Sequence, residues 1–254
     1  KNAPLLYNLA ELQNDCSKYF KISPDETLRI VQELYEKKMT TYPRTDARVL
    51  STAVAKEIHK NIGGLRNYAL AAPFAKEVLE QGAYKNIAKT RYVNDKQITD
   101  HYAIIPTGQG LNNLAGLAPT AAKVYEVIVR RFLSIFYPPA VYQKFSLTLQ
   151  VKEESFFASF KVLIQEGYLK VTDFSFKKEN TAPKDKENEN ESADEKCDAE
   201  LTNLLTHLKK GDTLSVDTYE IKEGETSPPK RYTSGSIILT MENAGQFIED
   251  EELR

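Results

Sequence analysis

Cysteine is scarce in this 254-residue chain: Cys16 and Cys197 stand in unlike contexts, and neither has a C-x-x-C partner. That argues against a disulfide framework or a zinc ribbon, and a reducing, cytoplasmic setting is expected. Long apolar runs are also missing. The longest, across residues 133–142, is interrupted by Pro138 and Pro139 and falls well short of the roughly 20 residues a membrane span needs. No membrane partner is therefore expected, nor a secretory leader. The sequence contains no P-loop, no strand-associated D-x-D pair and no repeat of solenoid period. It opens at Lys1 and closes in a charged run, residues 249–254, without a cap or stop signal. It is therefore expected to be an excised piece of a longer protein.

What is present is an ordinary globular composition, 41 % hydrophobic and 10 % aromatic, with enough length for one large or two ordinary domains. The net charge of −2 conceals a division. Residues 1–145 carry 20 basic against 13 acidic side chains, a net +7, whereas residues 146–254 carry 14 against 23, a net −9. Phosphate binding is thus electrostatically reasonable in the first half. Residues 177–200 hold 5 basic and 9 acidic side chains and almost nothing apolar. Such a stretch cannot bury a core and is expected to be a mobile insertion.

Helical signals dominate the first half. Ser23-Pro24-Asp25-Glu26 combines an N-cap, a proline at the first helical position and a Glu three residues after the Ser, and Leu28, Val31, Leu34 and Tyr35 continue at helical spacing. This helix is expected to end near Lys38. A second runs from Ser51 to Asn61, with Gly63-Gly64 expected to stop it, a third covers Pro73 to Gln81, and a long amphipathic one spans Pro119 to Tyr137. Beyond Ala140 the pattern alternates through Phe145, Leu147 and Leu149, then residues 156–161, Tyr168 and Val171, and later Leu214, Val216 and Tyr219. All of these are expected to be strands of an antiparallel sheet. The fold class is multi-domain α and β: a helical domain followed by an antiparallel β domain.

Between the first two helices lies Thr40-Thr41-Tyr42-Pro43-Arg44-Thr45-Asp46. Pro43 biases Tyr42 away from the α region, so residues 42 and 44 are expected to alternate like strand positions and project to roughly the same side. A phenol oxygen can then reach a phosphorus while the Arg44 fork holds the phosphate oxygens. A bare Tyr-x-Arg is also what a strand end with a turn looks like, so context has to decide. Downstream, Ile98-Thr99-Asp100-His101-Tyr102-Ala103-Ile104-Ile105-Pro106-Thr107 offers an imidazole that can donate to a phosphate oxygen, although a lone His beside an apolar run is commonly structural.

Together these stretches resemble the nucleophile and histidine motifs of the type IA DNA topoisomerases. Further matches follow in order: Pro4-Leu5-Leu6-Tyr7-Asn8-Leu9, Gln32-Glu33-Leu34-Tyr35-Glu36, Arg130-Arg131-Phe132-Leu133, and Pro228-Pro229-Lys230-Arg231-Tyr232-Thr233 with Met241-Glu242. This series is similar to the bacterial, topoisomerase III-like branch. The resemblance implies a four-domain toroid. Residues 1–143 would be the helical domain bearing the nucleophile, 144–230 the β arch and hinge, and 231–254 the start of the next helical domain. It implies Tyr42 and Arg44 as catalytic residues, with Asp46, Arg48 and His101 binding DNA or supporting them. It implies single-stranded DNA as substrate, and Mg²⁺ bound by a Toprim domain elsewhere in the polypeptide. No acidic metal cluster is found in this sequence, and Glu249 to Glu252 is expected to be a solvated charge run. The chain alone is thus expected to be inactive. The alternative is a non-catalytic single-stranded DNA-binding module, in which basic residues follow phosphates and tyrosines stack on bases.

Overall fold

A computed structural model describes residues 1–177, 203, 205–221 and 223–247. Residues 178–200 of the acidic insertion and the run Glu249 to Glu252 lie outside the described residues. The chain divides into two compact units, one built from residues 2–139, 167–181 and 232–254, the other from Lys1, 140–166 and 182–231.

The first unit is helical. Its helices are α1 (Leu9–Phe20), α2 (Pro24–Glu36), α3 (Thr52–Gly64), α4 (Ala72–Gln81), α5 (Pro119–Ser134) and α6 (Ser234–Glu242). Local chemistry sets their starts. The side chains of Asn8, Ser23 and Ser51 accept from the N–H groups of Glu11, Glu26 and Val54, which satisfies donors that a helix start otherwise leaves orphaned. α6 opens on a reciprocal cap between Thr233 and Ser236. Val124, Val127, Ile128 and Phe132 of α5 are fully buried and share the core with Leu12, Leu34, Ile58 and Ile62.

Two differences from the sequence reading concern glycine and strand content. Gly63 and Gly64 do not stop α3 but form its last turn. Gly64 is there because the chain passes close by: a Cβ on it would lie 2.1 Å from the Gly108 carbonyl oxygen. Tyr168 and Val171, expected in strands, instead fall in a 3₁₀ turn, Gly167–Val171. This turn is tied to α5. Arg130 donates to the Val171 carbonyl (3.2 Å) and pairs with Glu126 (3.1 Å), which also accepts from the Ser175 N–H (2.9 Å).

The second unit is centred on an antiparallel hairpin, β1 (Val141–Val151) with β2 (Glu154–Gln165), in the register Phe145 to Phe160 and Leu149 to Phe156. Lys152, in the two-residue connection, takes a left-handed φ of 54°. The segment carrying Leu214, Val216 and Tyr219 joins no ladder, and these side chains are 42 %, 52 % and 66 % exposed.

Candidate active site

α2 delivers the chain directly into the Tyr42 segment. Past Glu36, Lys38 turns into the left-handed region (φ 60°), the Met39 N–H donates to the Leu34 carbonyl (2.9 Å), and the backbone runs on without helix. Two other segments bracket it. On one side Thr41 donates its N–H to the Ile105 carbonyl (3.0 Å), Thr107 returns an N–H to Met39 (3.0 Å), and Ala103 donates to Val49 (3.0 Å). On the other, Leu9 donates to the Thr45 carbonyl (3.0 Å), Leu6 to that of Arg48 (3.2 Å), and the Asn8 side chain to that of Asp46 (3.1 Å).

The two threonines flanking Tyr42 and Arg44 complete the frame. The Thr41 hydroxyl donates to the Ala103 carbonyl (3.0 Å) and accepts from the Ile105 N–H (2.9 Å), while the Thr45 hydroxyl donates to the His101 carbonyl (2.8 Å). Nucleophile candidate and histidine are thereby fixed to each other by short cross-links.

The Tyr42 ring centroid lies 4.4 Å from that of His101, and Tyr35 meets the Tyr42 ring edge-on at 5.4 Å. Tyr42 is half-buried, while His101, Arg44 and Asp46 are exposed. Pro43, Thr45 and Ala47 are buried while Tyr42, Arg44 and Asp46 between them are more exposed, the alternation expected of the segment, and Tyr42 and Arg44 line adjoining grooves. Tyr35, Lys38, Thr40, Tyr42, Tyr102 and Thr107 belong to the first, Asn8, Arg44, Asp46, Asp100 and Glu242 to the second, and His101 borders both. The Thr45 N–H donates to the Pro43 carbonyl (3.1 Å), closing a tight turn around Arg44. Arg48 joins neither groove; it pairs with Glu11 at 2.5 Å and donates to the Leu6 carbonyl (3.3 Å).

The family model described as DNA topoisomerase matches residues 1–246. The chain belongs to the DNA topoisomerase family. The topoisomerase chain is 36 % identical over 251 residues to the DNA topoisomerase 3 of Bacillus licheniformis, and 34 % identical over 251 residues to that of Bacillus subtilis. Each alignment takes in 98 % of this chain and 32 % of the relative, so the chain spans about a third of the length of the curated relatives it matches. In fold it is similar to full-length topoisomerase I of Thermotoga maritima, with a TM-score of 0.54 at 21 % identity over 96 % of this chain and 35 % of that one.

Behind the site of this topoisomerase chain lies a buried polar cluster that the sequence did not disclose. Tyr7 donates to Asp15 (2.6 Å), and Arg131 donates to Tyr7 (3.0 Å), Asp15 (2.9 Å) and the Leu5 carbonyl (3.0 Å). Burial, opposed by the Arg131 charge and reinforced by Asp15, pushes the Tyr7 phenol well above its ordinary range. Tyr7 therefore stays protonated and serves structure. Its backbone bridges Ile104, three residues from His101. Tyr35 was legible as an apolar helix position and, like Asn8 and Glu242, as part of a matched stretch, but not as a residue of the site. Asn8 donates to Glu242 at 2.6 Å, bringing the end of α6 to the Arg44 groove. No group of three or more His, Cys, Asp or Glu among the described residues could hold a metal ion. The described residues thus offer no fit for a resident divalent cation.

Proposed function

We propose that this chain carries the nucleophile half of a topoisomerase active site, cutting and resealing single-stranded DNA through a 5′-phosphotyrosyl bond at Tyr42. The observation that carries the reading is the 4.4 Å packing of Tyr42 on His101, which also borders the groove of Arg44. In the forward step the Tyr42 oxygen gives up its proton and bonds to phosphorus, the bond to the 3′ oxygen breaks, and that oxygen takes up a proton. The phosphodiester energy is kept in the new ester, so resealing by the 3′ hydroxyl needs no ATP. An ordinary phenol, with a pKa near 10, costs about 4 kcal/mol to ionise at pH 7, and positive groups at the phosphate reduce that cost. Arg44 holds the non-bridging oxygens as charge develops, His101 donates to the same or an adjacent phosphate, and Asp46 orients Arg44. Arg48, held by Glu11, supports the backbone of the motif rather than the DNA.

In this reading residues 1–143 form the nucleophile domain, 144–230 the arch and hinge, and 231–254 the start of the next helical domain. The same polypeptide supplies a Toprim domain with its Mg²⁺ and works on DNA in the cytoplasm. No helix among the described residues is long and apolar enough to cross a membrane. The test uses the full-length protein and a labelled single-stranded oligonucleotide resolved on denaturing gels. Tyr42→Phe should give no covalent adduct. Arg44→Lys should lower the yield strongly, because an ammonium cannot reproduce the planar fork, and His101→Ala should lower it less. A stable adduct formed by Tyr42→Phe overturns the assignment, and non-covalent binding without any wild-type adduct favours the binding-module alternative.

A further inference from the structure

The groove in front of Tyr42 is built differently from its neighbour, and the difference points to what each receives. Its volume of about 490 Å³ lies within the roughly 300–1,000 Å³ of small-ligand clefts. Its walls are aromatic: Tyr35, 39 % exposed, meets the Tyr42 ring edge-on, His101 packs on Tyr42 at 4.4 Å, and Tyr102 lines the groove with them. Burial raises the Tyr102 phenol above its ordinary range, so Tyr102 stays uncharged. An exposed tyrosine ring next to a nucleophile is a stacking surface for a base, since every base offers a π-face.

The polar groups favour a base edge over a phosphate. Glu36 and Lys38 both line the groove, so its charge is mixed, and a carboxylate repels phosphate but accepts from an exocyclic amino group. Three threonines line it as well. The hydroxyls of Thr41 and Thr107 are committed to the Ala103 and Lys38 carbonyls. That of Thr40, a residue only 2 % exposed, has no hydrogen-bond partner. A buried hydroxyl without a partner is a standing cost unless a bound group meets it.

We propose that this groove is a nucleobase subsite, seating the base of the nucleotide whose 5′ phosphate joins Tyr42 and setting base preference at the cut. The base stacks on Tyr35, and Glu36 and Thr40 accept from its exocyclic amino group, so adenine, cytosine and guanine are favoured over thymine there. This rests on Tyr42 being the nucleophile. That nucleotide is chosen because it alone remains tethered beside the Tyr42 ring after cleavage.

The test is the yield of 5′-linked adduct from the full-length protein on single-stranded oligonucleotides that carry each base, or an abasic residue, at that position. Wild-type protein should prefer amino-bearing bases several-fold over thymine and lose about tenfold on the abasic strand. Tyr35→Ala should flatten the abasic loss, and Tyr35→Phe, which keeps the ring, should retain it. Thr40→Val should narrow the base preference while leaving the thermal midpoint unchanged or higher, because it removes an unpartnered hydroxyl. A wild-type adduct yield indifferent to the base and to its absence overturns the subsite while leaving the nucleophile intact. So does a Tyr35→Ala variant that keeps the full abasic loss. No wild-type adduct on any strand would overturn the nucleophile reading, and the subsite with it.

Discussion

Gly63 and Gly64 are adjacent in the last turn of α3, yet their replacement by alanine should act in opposite directions. A Cβ on Gly63 meets nothing within 4 Å, whereas one on Gly64 would lie 2.1 Å from the Gly108 carbonyl oxygen and 2.6 Å from its carbon. Both alanines gain about 0.8 kcal/mol of helix propensity. For Gly63→Ala nothing opposes the gain, and the melting point should rise by roughly 2–3 °C for a domain of this size. For Gly64→Ala the obstacle is backbone and cannot swing aside, so the overpacking cost sits near the top of its range, about 3 kcal/mol. Gly108 cannot simply shift, since it is itself at φ +76° with Asn61 behind it. The net is a loss of about 2 kcal/mol, or roughly 4–8 °C. Thr107, next to Gly108, bonds to Lys38 and Met39 just ahead of Tyr42, so Gly64→Ala should also lower the DNA-adduct yield of the full-length protein. Urea unfolding followed by far-UV circular dichroism measures the stabilities. If the two alanines shift the midpoint alike, in either direction, the close approach of α3 to Gly108 is not what requires a glycine at position 64.

Arg131→Met leaves Asp15 and Tyr7 buried without their cation and should cost about 3–5 kcal/mol in urea unfolding, most of it recovered by the double change Asp15→Leu/Arg131→Met; a double variant as weak as the single one would contradict this. Lys170, hydrogen-bonded to Glu77 at 2.7 Å, holds that carboxyl below its ordinary value, aided by the Tyr137 hydroxyl. A depressed carboxyl stabilises the fold above its ordinary range and loses that effect as pH falls through the lowered value. Lys170→Met should therefore destabilise by less than about 1 kcal/mol at pH 7 and by progressively less as pH falls through the lowered carboxyl value, and a loss that persists undiminished in acid would refute the linkage. The 254-residue chain should bind single-stranded oligonucleotides with an affinity that falls steeply as salt rises, since residues 1–145 carry the +7 excess; salt-independent anisotropy titrations would argue against phosphate contacts.

Legibility in the sequence followed the locality of the forces. α2 could be read because its cap is written in four consecutive residues, and α5 because its buried face repeats at helical spacing. The β1–β2 hairpin was visible as alternation. α1 was not anticipated, because its buried side includes Gln13, Asn14 and Asp15, whose burial depends on partners outside the helix: Pro24, Gly235 and Arg131. The same holds at the site. Tyr42 and His101 were legible as motifs, but their packing depends on Thr41 and Thr45 cross-linking two segments about 60 residues apart. The alternation of Tyr42, Arg44 and Asp46 with the buried Pro43, Thr45 and Ala47 was legible, whereas the turn hydrogen bond around Arg44 was not.

The measurement closest to the central claim is the identity of the residue that holds DNA. The full-length protein is trapped on a single-stranded oligonucleotide with strong denaturant, digested with protease, and the nucleotide-bearing peptide is sequenced by mass spectrometry. The nucleotide should be found on Tyr42, joined through its 5′ phosphate and leaving a free 3′ hydroxyl on the other fragment. A nucleotide on any other residue, or attachment through a 3′ phosphate, would contradict the account.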